Sequence, residues 1–138
     1  MSWQQNDEET PARICVVDDD AAVRHALCNL LESGGYQTLA FESGEALLAS
    51  PDLAGIDVAV FDVKLRGMSG FALLERFKEM GPALGLDIPM LLVSGHSDRG
   101  MEQRALDAGA LELLRKPVDP DVLFEHIEHA LYLRRPLQ

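Results

Sequence analysis

Cysteine is scarce: Cys15 and Cys28 are the only two in a chain of 138 residues. Neither lies in a CxxC or Cys/His spacing, so the usual zinc sites are excluded. Cys15 sits inside an apolar run and reads as a buried, reduced thiol that packs like a small hydrophobe. A disulfide would add little to a chain of this size. Long hydrophobic runs are missing as well. No stretch approaches the ~20 apolar residues that cross a bilayer, and the opening MSWQQNDEET lacks the basic-then-apolar order of a signal peptide. A cytoplasmic location with no membrane partner is expected. Cations are the third shortage, since 12 Lys and Arg against 23 Asp and Glu leave a net charge of −11. Binding to a phosphate backbone needs clustered Lys and Arg. The pairs Arg115-Lys116 and Arg134-Arg135 are too small to serve, so no direct nucleic-acid binding by this segment is expected.

What is present is a globular composition, 47% hydrophobic and 25% charged, at a length that suits one domain with one core. Residues 1–12 are polar, acidic and aperiodic, the pattern of a loose tail ending at Pro11, with Trp3 exposed in it. From Arg13 onward short apolar runs alternate with helical patterns. Arg13 to Val17 reads as a buried strand. Val23, Ala26, Leu27, Leu30 and Leu31 then recur at helical spacing until Gly34-Gly35. Tyr36 to Phe41 is a second strand, and Ser43 to Ala49 a short helix with Ser43 as its N-cap. Val58 to Phe61 is a strand followed at once by Asp62. Phe71, Leu73, Leu74 and Phe77 mark a helix predicted to end near Gly81-Pro82. Pro89 to Val93 is a core strand, Met101, Ala105 and Ala108 lie on a helix ending at Gly109, and Leu111 to Leu114 is the last strand. Asp119-Pro120 opens a final helix that turns Leu123, Ile127, Ala130 and Leu131 inward.

Five β-α units with near-continuous apolar strands imply an α/β fold, a parallel sheet covered on both faces. Ligands of such sheets bind beyond the carboxyl ends of the strands. Those positions hold Asp18, Asp19 and Asp20 after the first strand, Asp62 after the third, Ser94 after the fourth and Lys116 after the fifth. Each has a bland reading: Asp20 is a helix cap, Asp18 or Asp19 could be another, Ser94 a loop serine and Lys116 a solvated charge. Together they form a set. Clustered carboxylates repel and call for a cation, and a divalent metal or Lys116 can supply one. Hard ions such as Mg²⁺ take carboxylate oxygens plus substrate phosphate. The chemistry that suits the set is phosphoryl transfer to Asp62, with Lys116 and Ser94 serving the phosphoryl oxygens.

The segments VVDDD at 16–20, FDVKLRGMSG at 61–70, VSGH at 93–96 and RKP at 115–117 resemble the receiver domain of bacterial two-component response regulators. The resemblance covers residues 13–133, leaving 134–138 as a tail or the start of a linker. It implies a flavodoxin-like, doubly wound sheet of five parallel strands in the order 2-1-3-4-5 with five helices. It implies that Asp62 is the phosphoacceptor for a histidine kinase or phosphotransfer protein. Asp18 and Asp19 would hold Mg²⁺ with Asp62 and the backbone carbonyl of Lys64. Ser94 would be the switch hydroxyl and Lys116 the phosphoryl-binding ammonium, with a cis bond to Pro117. The implied role is that of an acceptor domain rather than a turnover enzyme, and the implied output or homodimer face is 98–133.

Two positions depart from the family pattern. Leu113 stands three residues before Lys116, where relatives usually carry Tyr or Phe as a signalling ring. Arg66 stands four residues past Asp62, where many have proline, and reads as a solvent-facing arginine that adds charge near the site. His96 sits beside the site in sequence, while His25, His126 and His129 lie on helices away from it. A phosphatase of the aspartyl-nucleophile type would carry a second Asp where this chain has Lys64. An unphosphorylated scaffold would not need the acids and lysine kept together.

Overall fold

All five apolar runs become parallel strands: β1 (Arg13–Val17), β2 (Gln37–Phe41), β3 (Val58–Asp62), β4 (Met90–Ser94) and β5 (Glu112–Arg115). They alternate with α1 (Ala21–Ser33), α2 (Gly44–Leu48), α3 (Gly70–Leu84), α4 (Arg99–Ala108) and α5 (Pro120–Arg134). The computed structural model describes residues 10–84, 87–96 and 99–134. Trp3 with the rest of the tail ahead of Thr10, Asp98 at the start of the expected output face, and residues 135–138 lie outside the described residues. The strand order is β2-β1-β3-β4-β5, as the resemblance implies.

The side-chain period of two divides the interior. Ile14, Val16, Val58, Val60, Leu91, Val93 and Leu114 point to one face, where Leu27 and Leu31 of α1 and Leu123, Ile127 and Ala130 of α5 cover them. Cys15, Val17, Ala59, Phe61, Met90, Leu92 and Leu113 point to the other, under Leu47 of α2, Phe71, Leu74 and Phe77 of α3 and Ala105 of α4. Central strands covered on both faces must be apolar throughout, and every position of β3 and β4 is buried. Cys15 is free and buried, and burial raises its thiol pKa far above the ordinary range.

Local chemistry sets the helix ends. The Asp20 carboxylate accepts from the N–H groups of Ala22 and Val23 to cap α1, Ser43 Oγ accepts from Ala46 N to cap α2, and Asp119 Oδ1 accepts from Asp121 and Val122 at the start of α5. Several boundaries differ from the sequence reading: β2 starts at Gln37, β3 takes in Asp62, β4 runs from Met90 to Ser94 and α2 from Gly44 to Leu48. α3 passes through Gly81-Pro82 to Leu84, because a proline in the last turn forfeits one intrahelical bond without breaking the turns before it. β5 starts one residue later than expected and takes in Arg115. Arg134 belongs to α5 rather than to a tail: its guanidinium lies 3.7 Å from Asp57 Oδ1 and donates to the Asp87 carbonyl at 3.0 Å.

Candidate functional site

After β1 the chain turns to one side to form β2, and then to the other side to form β3. The strand order therefore reverses between β1 and β3, and a crevice opens where their connections diverge. The register pairs Val17 with Phe61. The residues that follow, Asp18 and Asp62, are thus carried to the same edge on neighbouring strands. Ser94 closes β4 on the far side of Asp62, and the Lys116 N–H bonds the Ser94 carbonyl at 2.9 Å, which holds the lysine beside β4.

The predicted residues meet at that edge. Lys116 Nζ lies 3.1 Å from Asp18 Oδ2 and 3.1 Å from Asp62 Oδ2. The contact with Asp62 is a donated hydrogen bond. The contact with Asp18 is an ion pair at the same distance, and the buried Asp18 Oδ2 has no other polar partner among the described residues. Its other oxygen accepts from Asp20 N at 2.9 Å. Asp62 Oδ1 accepts a long 3.4 Å bond from Lys64 N, which places Lys64 in the loop just beyond the strand. The Lys116-Pro117 bond is cis.

Charge is unbalanced there. Asp18, Asp19 and Asp62 each bring one oxygen to within 4.8 Å of the others, and the Lys116 ammonium with the exposed Arg66 guanidinium 3.9 Å from Asp19 still leaves one negative charge in excess. A buried carboxylate oxygen whose sole partner among the described residues is an ammonium shared with Asp62, in a net negative cluster, fits a hard divalent cation, which takes oxygen ligands at about 2.0–2.6 Å. Burial raises the Asp62 carboxyl above its ordinary value; the Lys116 hydrogen bond opposes that and the Asp18 charge adds to it. Burial pulls Lys116 down, but its bonds and charge contacts with Asp62 and Asp18 outweigh the pull and raise it.

Ser94 is in place but engaged. Its hydroxyl donates to the His96 carbonyl at 2.6 Å and accepts from the His96 N–H at 3.1 Å. A hydroxyl has one proton to give, so serving another oxygen requires this rotor to turn. His96 thus touches the site through its backbone. His25, His126 and His129 stand on α1 and α5 as expected. Leu113 is buried in the core under α2 to α4.

Three features escape the sequence reading. Arg24 Nη1 donates to the Asp18 carbonyl at 2.8 Å and pins the turn after β1. Arg66 N donates to Asp19 Oδ2 at 3.0 Å across a separation of 47 residues, which no local pattern signals. Gly70 fits because a side chain there would collide with the Asp62 carbonyl and bring a Cβ within 2.8 Å of Val63 Cα. A glycine opening a helix two turns past an acidic strand end is the one visible trace of that close approach.

A model of the response regulator receiver domain matches residues 14–128. The transcriptional regulatory protein FixJ of Bradyrhizobium diazoefficiens is 35% identical over 127 residues, covering 92% of this chain and 60% of that protein. The DNA-binding transcriptional regulator NtrC of Salmonella typhimurium is 34% identical, covering 86% of this chain and 24% of that protein. The chain thus spans 60% of the length of the first of these curated relatives and 24% of the second. Among solved structures, a CheY-like receiver domain from Methanospirillum hungatei superposes with a TM-score of 0.79 at 30% identity, covering 91% of this chain and 97% of that one. The FixJ-N crystal structure gives 0.79 at 32% identity, covering 94% and 100%. With the sheet order, the acidic edge and the matched span in agreement, the chain belongs to the response regulator receiver domains of two-component signalling.

Proposed function

We propose that Asp62 is the acceptor of a phosphoryl group delivered by a histidine kinase or a phosphotransfer protein. The observation that carries this reading is the pair of 3.1 Å contacts from Lys116 Nζ to the buried carboxylates of Asp62 and Asp18, one ammonium shared between two acids. An Asp62 oxygen attacks phosphorus, a P–O bond forms, and the P–N bond to the donor imidazole breaks with its electron pair returning to nitrogen. Lys116 stays with the transferred group and offsets its added charge. Ser94 turns from the His96 carbonyl and donates to a phosphoryl oxygen. Asp18, Asp19, Asp62 and the Lys64 carbonyl are the residues that would hold Mg²⁺, which when bound supplies positive charge to the transferring oxygens.

The domain is an acceptor that assists its own labelling and hydrolysis rather than a turnover enzyme, and it works in the cytoplasm. Its change of state is read by an output partner or a second copy on the 98–133 face. The test is intact mass after incubation with acetyl phosphate and Mg²⁺. The wild type gains one phosphoryl group, and Asp62→Asn gains none. An unmodified wild type, beside a control receiver that is labelled, sinks the reading.

A further inference from the structure

Resting on the metal reading above, the outer half of the acidic cluster has its own cation. Lys116 contacts the two buried carboxylates, Asp18 and Asp62. Asp19 is the more open one, its side chain 24% exposed, and what faces it is Arg66, with Nε 3.9 Å from Asp19 Oδ2 and a side chain 91% exposed. The backbone N–H of Arg66 donates to that same oxygen at 3.0 Å.

The loop is shaped to keep it there. Gly67 follows with φ +76, and a Cβ on it would stand 2.9 Å from Glu45 Oε2. The chain therefore turns sharply behind Arg66 in a conformation that favours glycine, which leaves the Arg66 amide aimed at Asp19. The guanidinium stands in solvent on the open side of Asp19.

We propose that Arg66 is a specificity-determining residue of this site, the counter-ion of Asp19 in the metal-free protein, and is displaced when a divalent cation takes that carboxylate. Two consequences follow from its charge. A cation beside Asp19 weakens the binding of a second cation, because like charges a few ångströms apart repel even in a screened, exposed setting. Once displaced, the same guanidinium lines the entrance and favours phosphoryl donors of higher negative charge.

The test is calorimetric titration of MgCl₂ into the full chain, with Arg66→Gln and Arg66→Lys beside the wild type. Arg66→Gln is expected to bind Mg²⁺ about threefold more tightly at low ionic strength, a gap that closes near ~0.5 M NaCl, and Arg66→Lys to stay near the wild type. At saturating Mg²⁺, the ratio of labelling rates with acetyl phosphate over the less charged phosphoramidate should fall in Arg66→Gln. A wild type that binds Mg²⁺ with an Arg66→Gln variant of equal affinity overturns the proposal and leaves the metal site standing. A wild type that takes up no Mg²⁺ overturns the metal reading and this proposal together.

Discussion

Lys116 is the residue on which the buried charge depends. Its ammonium lies 3.1 Å from each of two buried carboxylates, and removing one partner from a buried charge set costs more than the set is worth when intact. Lys116→Ala should therefore lower stability by about 3 kcal/mol in a chelator. Mg²⁺ should restore much of the loss, because a ligand that binds only the folded state adds free energy with its concentration. Chemical denaturation with EDTA and with Mg²⁺ checks both halves. Asp62 behaves in the opposite way. Its folded pKa is raised, chiefly by burial, so the native state holds its proton longer than the unfolded chain does. The contribution to stability is present below the ordinary carboxylate value and is lost as pH rises through the raised one. Metal-free Asp62→Asn should thus exceed the wild type near neutral pH by roughly 1 kcal/mol, with the gap closing in acid. Melting curves across pH decide it, and a gap that is constant with pH contradicts the assignment.

At the scale of elements, the helix that follows the acceptor is fitted against it. Gly70 N donates to the Val63 carbonyl at 2.8 Å, and a Cβ at this position would collide with the Asp62 carbonyl. Gly70→Ala must push the start of α3 away from the end of β3. Overpacking of this kind costs about 1–3 kcal/mol, and because the shift acts on Asp62 it should also weaken Mg²⁺ binding, as calorimetry would register. A variant with wild-type metal affinity would show that α3 does not position the acceptor. The elements themselves were legible because their signals are local. β1 is apolar without a break after Arg13, Ser43 and Asp20 are caps followed by helical periodicity, and the acids fall where strands end. What was not legible depends on distance. The Ser94 hydroxyl is turned to His96 by loop geometry, and Arg66 meets Asp19 through a turn made possible by Gly67. α3 runs past the Gly81-Pro82 signal because a proline is a strong stop inside a helix and a weak one in its last turn. Leu113 was flagged by type alone, and its burial among Phe71, Phe77 and Leu92 shows a side chain that completes the core under α4. A signal that leaves Asp62 by that route must therefore be carried by a shift of packed elements.

For the whole molecule, the governing quantity is its acidity. A net charge of −11 on a small domain repels itself, which destabilises the compact state. Monovalent and divalent salts should relieve this in distinguishable ways. Screening acts on every exposed acid once the Debye length falls from about 30 Å at 0.01 M to about 4 Å at ~0.5 M, so NaCl should raise the melting temperature by a few degrees wherever the acids sit. Mg²⁺ adds a second effect only if the cluster of Asp18, Asp19 and Asp62 gathers it. At matched ionic strength, ~10 mM MgCl₂ should raise the wild-type melting temperature beyond the NaCl value, by an amount that grows with the logarithm of concentration above the dissociation constant. Asp19→Asn keeps the buried Lys116 contacts, since its own side chain lies outside them, and should therefore fold and respond to NaCl like the wild type. It should lose most of the magnesium increment. If the full increment persists in Asp19→Asn, the divalent ion is acting on the diffuse acidity of the surface, and the crevice between β1 and β3 is not where it binds.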